Sequence, residues 1–231
     1  AMNGTTGRRG FLRTVALAGA AGGTGFASVP GSGAAVGPSK GLDYIDMIER
    51  MTRDLMRESG SDIERAADIC AEAVASGKKV WYSVRGHNEP ICIFENRPGK
   101  PSFLSATEKT VNVAAFGSGD ALITERTEWC MPAKERGVRL IGILMPFQPQ
   151  KTRGQGIVHI DYAGPWMEEV CDVCIWDRVP YTVGTMSFDY LPFHAVPAHG
   201  AMDGIAMGLV LAATADRLVA RGIAVRETPY P

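Results

Sequence analysis

The sequence lacks the charge that nucleic acids and acidic membrane surfaces attract. Its 24 basic and 25 acidic residues give a net charge of −1, and no basic stripe follows residue 40. We therefore expect no nucleic-acid partner. Internal repeats are also missing, and 45% hydrophobic with 21% charged residues is ordinary for a globular protein. These features predict a single globular domain behind an N-terminal segment.

The chain has few cysteines, and their spacing does not match a disulfide framework. The number of cysteines, five, is odd, so they cannot all pair with one another in disulfides within the chain. Cys171 and Cys174 form a C-x-x-C pair, but the apolar run over residues 170–176 predicts a buried strand around them. Side chains three apart in a strand point to opposite faces, whereas a redox C-x-x-C opens a helix. The pattern favours buried structural thiols, with a disulfide or metal site as the alternative.

Acidic residues are absent before Asp43. Arg8 and Arg9 precede an apolar pair, Phe11-Leu12, and the positions from 14 to 39 carry no charge. A basic start, a mildly apolar run and a small-residue stretch are typical of an export signal. The paired arginines make this segment resemble a twin-arginine signal, and a chance basic pair on a disordered tail is the alternative.

Long apolar runs are missing as well. Many glycines and serines, together with Pro30, argue against a transmembrane helix, which needs about 20 predominantly apolar residues. We expect residues 1–40 to be signal and linker, and residues 41–231 to form the domain. The signal implies export by the twin-arginine machinery to the periplasm or the extracellular space.

Helical and strand patterns alternate along residues 41–231. Apolar spacing predicts a helix over 42–56 that ends at Ser59-Gly60, and a second helix that starts at residue 61 and ends before Gly77. Ser61 and Glu64 are spaced as a capping box, and Gly77 suits the position that follows a helix. Further helices are predicted over 128–136 and 198–220, strands over 79–84, 121–124, 138–145 and 170–176, and a loop over 96–105. Such alternation predicts a parallel sheet covered by helices.

In this order of elements the chain resembles SIS (sugar isomerase) domain proteins, and more narrowly the small members described as phosphosugar-binding. The resemblance covers about residues 42–226. It rests on the two opening helices before the first strand and on four short motifs. These are Gly86-His87 after the first strand, residues 119–123, residues 133–138 before a strand, and residues 219–223 at the end of the last helix. It implies a three-layer α/β sandwich with a five-stranded, mostly parallel sheet of flavodoxin-like topology. It also implies a homodimer or homotetramer that binds ligand at the carboxyl ends of the strands.

The chain departs from this family where a phosphate would bind. SIS domains follow the second core strand with a loop rich in Ser, Thr and Gly, whose N–H groups hold phosphate. Here Thr124 is followed by Glu125-Arg126-Thr127-Glu128-Trp129, which has no glycine and two carboxylates. The glycines of Gly117-Ser118-Gly119 precede the strand and belong to the opposite end of the sheet. We therefore expect an unphosphorylated sugar or sugar derivative as the ligand.

Candidate catalytic residues are those that can exchange protons at the ligand end of the sheet, namely His87, Glu125 and His199. Each also has a structural interpretation: a turn histidine, a helix N-terminal charge and a polar helix start, respectively. Expected ligand-binding residues are Arg85, Gly86, Asn88, Glu89, Arg126, Thr127 and His194.

Three functions remain open at this stage. An exported sugar isomerase would use the proton-exchanging residues, and a non-catalytic binding protein would hold the same ligand without turnover. A zinc-dependent enzyme would draw its ligands from His194, His199 and Asp203, since His199 and Asp203 share a helix face. Neither the isomerase nor the binding protein requires a cofactor.

Overall fold

The computed structural model describes residues 40–83, 101–106, 113–144, 165, 167–179, 184–189 and 191–226. Four helices are found there: α1 Lys40–Ala75, α2 Thr127–Glu135, α3 Met167–Val170 and α4 His199–Ala220. The strands are β1 Val80–Ser83, β2 Leu104–Ala106, β3 Ala121–Thr124, β4 Arg139–Leu144 and β5 Val173–Trp176. A 3-10 helix at Val113–Ala115 precedes β3.

The strands form one open sheet in the order β2-β1-β3-β4-β5, and every pairing is parallel. Alternate strand residues, among them Val80, Ile123 and Ile175, pack in one core with α1 and α4. The residues between them, such as Leu122 and Leu140, pack in a second core with α2 and α3. Helices therefore cover both faces of a five-stranded parallel sheet, and the predicted α/β sandwich is confirmed.

Helix α1 is continuous, so the prediction of two helices separated at Ser59-Gly60 is wrong. Ser59 is fully buried, and its hydroxyl lies 3.4 Å from the carbonyl oxygen of Trp176 and accepts a hydrogen bond from Arg178 Nη2 (3.1 Å). Gly60 is not among the residues with positive φ, so it makes no turn. The helix continues because its buried positions, from Met47 through Ser59 to Ala73, follow one face across the expected break.

Helix ends are predicted better than short edge strands. Gly77 (φ 70°) lies in the left-handed region just beyond α1, as its place after the helix predicted. Strand β2 begins within the expected loop over 96–105 and ends one residue beyond it. It is a three-residue edge strand that pairs only with β1, too short for a periodic pattern.

The predicted strand over residues 170–176 begins late. Val170 ends α3, and β5 starts at Val173. Cys171 therefore precedes the strand, so the expectation that Cys171 and Cys174 point to opposite faces of one strand is wrong. The two side chains instead meet on the same face, above Gly142 of β4.

The loop before β3 lies at the amino end of the sheet, as expected. Asp120 accepts hydrogen bonds from Lys79 N–H (3.0 Å), the Trp81 indole (2.7 Å) and Gly117 N–H (2.9 Å). Burial acts to raise the pKa of Asp120, but these bonds together favour the carboxylate more strongly, and the pKa is lowered. The loop is thereby fixed to β1 at the end opposite the predicted ligand edge.

Within the described ranges, no helix is long and apolar enough to cross a membrane.

Candidate functional site

Four titratable side chains gather at the carboxyl edge of the sheet. Glu125 directly follows β3, and Asp177 directly follows β5. His199 and Asp203 lie one turn apart at the start of α4 and reach the same edge. We call Glu125, Asp177, His199 and Asp203 the acid–base cluster. Open parallel sheets bind their ligands at this edge, where the strand order reverses, and here the reversal lies between β1 and β3.

Asp177 and His199 form the first pair of the cluster. Asp177 Oδ2 lies 3.2 Å from His199 Nδ1, and Asp177 is fully buried while the His199 side chain is 21% exposed. Burial raises the pKa of Asp177, although the hydrogen bonds to His199 and to Val179 N–H (3.0 Å) act against this rise. When Asp177 is ionised it can only accept, so Nδ1 donates, and Nε2 then carries the lone pair of the neutral imidazole.

Glu125 and Asp203 form the second pair. Asp203 is 6% exposed and its Oδ1 has no hydrogen-bond partner. Burial, and then the charge of Asp177, raise the pKa of Asp203 to about 7, whereas His199 and a hydrogen bond from Glu125 act to lower it. A hydrogen bond between two carboxyl groups needs one proton between them. Asp203 therefore holds a proton that it can exchange near neutral pH.

The backbone beside the cluster is strained. Arg178 (φ 62°) follows Asp177, and Val196 (φ 59°) lies three residues before His199. A left-handed conformation is costly for a β-branched residue such as valine, and such strain is found preferentially at functional sites. The strained segment is held by an isolated antiparallel bridge between Met186 and Ala195.

Gly184 allows that bridge to form. A Cβ added to Gly184 would lie 2.0 Å from the carbonyl oxygen of His194, which is backbone and has no room to move aside. Thr185 N–H and Thr185 Oγ1 then donate to Val196 O, at 3.1 and 2.7 Å. These contacts fix the segment that leads into α4, and so they position His199.

Two further buried polar atoms without partners belong to residues that adjoin members of the cluster in the sequence. Nε of Arg126 and Nε of Arg178 are unsatisfied, and these residues directly follow Glu125 and Asp177. A buried polar atom that makes no hydrogen bond costs about 1–3 kcal/mol. Unsatisfied donors beside acid–base groups are what a site for a polar ligand is expected to contain.

The predicted site residues divide into three groups. Glu125, His199 and Asp203 are brought together, and Arg126 and Thr127 follow Glu125 as half-buried residues at the start of α2. His194, in contrast, has an exposed side chain. The remaining candidates, which come from the first strand-to-helix turn, lie outside the described residues: Arg85, Gly86, His87, Asn88 and Glu89.

Sequence reasoning missed Asp177. Its signal was its position, since it is the first residue after an apolar strand, as Glu125 is after β3. In the part of the chain that the structure describes, no group of three His, Cys, Asp or Glu side chains is arranged to hold a metal ion.

Comparison with protein-family models gave no match, and comparison with curated proteins gave none either.

Proposed function

We propose that this protein is an acid–base enzyme that isomerises an unphosphorylated sugar or sugar derivative at the carboxyl edge of its sheet. The proposal depends chiefly on one observation, the buried carboxyl group of Asp203 beside Glu125 and near the pair Asp177–His199. General acid–base catalysis works best with groups whose pKa lies near the working pH. The pKa of Asp203, about 7, meets this requirement.

Aldose–ketose isomerisation needs the two kinds of group that the cluster supplies. A base removes the proton from the carbon beside the carbonyl, giving an enediol, and the proton returns to the neighbouring carbon. An acid meanwhile protonates the carbonyl oxygen, and the adjacent hydroxyl loses its proton. We assign the carbon-bound proton to His199 Nε2, with Asp177 as the residue that orients it, and the oxygen-bound protons to the Glu125–Asp203 pair.

The charge of the site supports a neutral ligand. Three carboxyl groups and one imidazole make up the acid–base cluster, and repulsion from carboxylates disfavours a phosphate dianion. Glu125 and Glu128 stand where the resembled family has its phosphate loop. Export, proposed from Arg8 and Arg9, agrees with an unphosphorylated ligand found outside the cytoplasm.

Solvent deuterium incorporation tests this function. A thermal-shift screen with neutral sugars, sugar acids and sugar phosphates first identifies a ligand, which raises apparent stability by mass action. Incubation of that ligand in D2O should then place deuterium on the carbon beside the carbonyl, as read by NMR. We expect Glu125→Gln and Asp177→Asn to slow incorporation by about 10²-fold or more.

Glu135→Gln is the matched control, because Glu135 is exposed at the far end of α2. It should leave the exchange rate unchanged. Stabilisation by a ligand without any deuterium incorporation would favour a non-catalytic binding protein instead. A response to sugar phosphates alone would contradict the proposed substrate class.

A further inference from the structure

Three thiols meet on the face of the sheet that α2 and α3 cover. Cys130 Sγ, from α2, lies 4.0 Å from Cys171 Sγ, which follows α3. A Cβ added to Gly142 of β4 would lie 3.2 Å from Cys171 Sγ and 3.6 Å from Cys174 Sγ. Both of these sulphurs therefore occupy the space above Gly142, and the absence of a side chain there gives them room.

Cys171 is the middle thiol of this group. It is hydrogen-bonded to both Cys130 and Cys174, and these contacts, the one with Cys130 foremost, raise its pKa. The hydrogen bond from Cys171 outweighs burial and lowers the pKa of Cys174. Cys171 can therefore pair with either neighbour, and Cys174 is the thiol favoured as the attacking thiolate.

The cysteines also differ in how exposed they are to an external reagent. Cys174 is half-buried on β5, which is an edge strand, whereas Cys130 is fully buried. Cys70 is also fully buried, against Thr214 between α1 and α4, and burial raises its pKa to about 12. An external reagent therefore reaches Cys174 before Cys130, and Cys70 is an inert thiol for comparison.

We propose that Cys130, Cys171 and Cys174 form a thiol–disulfide exchange site whose co-substrate is a low-molecular-weight disulfide. The Cys174 thiolate attacks the disulfide, forming a mixed disulfide and releasing one small thiolate. Cys171 then loses its proton and attacks Cys174 Sγ, which releases the second small thiolate and closes a Cys171–Cys174 disulfide. Two protein thiols are oxidised, one external disulfide is reduced, and the two thiol protons leave on the released thiols.

A second exchange moves the bond inward. The Cys130 thiolate attacks Cys171 Sγ, closes a Cys130–Cys171 disulfide and regenerates the Cys174 thiolate. The two sulphurs must approach by about 2 Å to reach disulfide length. The product would join α2 to the segment before β5 and leave Cys174 free for another reaction.

Oxidised glutathione is the probe for this site. We expect treatment of the full chain with one equivalent of oxidised glutathione to reduce the free thiols, counted after denaturation, from five to three. Peptide mapping by mass spectrometry should find Cys171 joined to Cys130 or Cys174. In Cys171→Ser no intramolecular disulfide should form, and Cys174 should instead retain glutathione as a mixed disulfide.

Cys70→Ala is the matched control and should oxidise as the wild type does. Circular dichroism of each variant checks that it is folded. Any of three results would overturn the proposal: five free thiols after treatment, a disulfide that joins Cys92 or Cys70, or stoichiometric zinc released from the purified protein with protection of these three thiols.

Discussion

At the scale of single residues, burial of carboxyl groups determines how the site responds to pH. Asp203 has a pKa raised to about 7, far above that of an aspartate in an unfolded chain. The folded protein therefore binds this proton more tightly than the unfolded chain. Its stability falls as pH rises between about 4 and 7, because burial of the ionised carboxylate is unfavourable.

Asp203→Asn removes this proton linkage. We expect the variant to gain stability relative to wild type as pH rises from 5 to 8, by on the order of 2 kcal/mol. Urea unfolding at a series of pH values measures the difference. Asp216→Asn, an exposed position on the same helix, is the control and should show no such trend. A stability difference for Asp203→Asn that stays constant from pH 5 to 8 would contradict the raised pKa.

Only part of the candidate site could be predicted from the sequence, because some of its residues are identified by local spacing and others only by long-range contacts. His199 and Asp203 are one helical turn apart, and Glu125 ends a strand, so local spacing was enough to single them out. Asp177 owes its burial to α4, whose first residue lies 22 positions further along the chain and covers it. Such long-range contacts produce no periodic pattern in the sequence.

At the scale of elements, the long α1 shows how packing overrides local breakers. Ser59 and Gly60 favour an interruption, but Ser59 is buried against Trp176 and Arg178, and Gly60 has no positive φ. Tertiary contacts thus keep a residue of poor helix propensity inside the helix. The reverse holds for β2, where pairing with β1 makes a strand of three residues that sequence pattern predicts as loop.

Gly60→Ala tests whether the helix is continuous. No atom lies within 4 Å of a Cβ added there, so the substitution should stabilise the protein by roughly 0.5–1 kcal/mol. Thermal unfolding gives the change. Gly77→Ala is the contrasting variant, since Gly77 has φ 70°, and it should destabilise by about 1 kcal/mol. Destabilisation by both variants would indicate a turn at residue 60.

At the scale of the whole molecule, α1 and α4 form one layer, and Arg217 joins them. Its guanidinium bonds to Asp68 and Glu64 of α1, and it also donates to the backbone carbonyl of Glu64. Both carboxylates raise the pKa of Arg217, Asp68 the more strongly. These contacts link residues about 150 positions apart in the sequence.

Arg217→Gln should cost about 1 kcal/mol of unfolding free energy at low salt, and less at 1 M salt because the charges are screened. Urea unfolding at both salt concentrations measures this. Arg53→Gln is the control, because Arg53 pairs with Glu49 within α1 and both side chains are exposed, so the loss should be near zero. An equal loss in the two variants would show that the link between helices adds nothing.

The three-layer architecture was predictable because β1, β3 and β4 consist mostly of apolar residues, as is typical of strands buried on both faces. Strand order was not predictable from these patterns. It depends on which edges pair, and β2 adds beside β1 while β3 adds on its other side. Composition and periodicity leave the strand order open, so the topology expected from the sequence came only from the resemblance to SIS domains.

The all-parallel sheet has a consequence for how this chain folds. None of the five strands in the described part of the chain can join its sheet neighbour through a tight hairpin, since a parallel pair needs a crossover of about a dozen residues or more. Strands β1 and β2 are separated by residues 84–103, and β4 and β5 by residues 145–172. The entropy of loop closure opposes every pairing in this sheet, so we expect folding to be slow. Glu125, Asp177 and His199 come from three separate segments, so the acid–base cluster has no local precursor and is complete only when the last helix has docked.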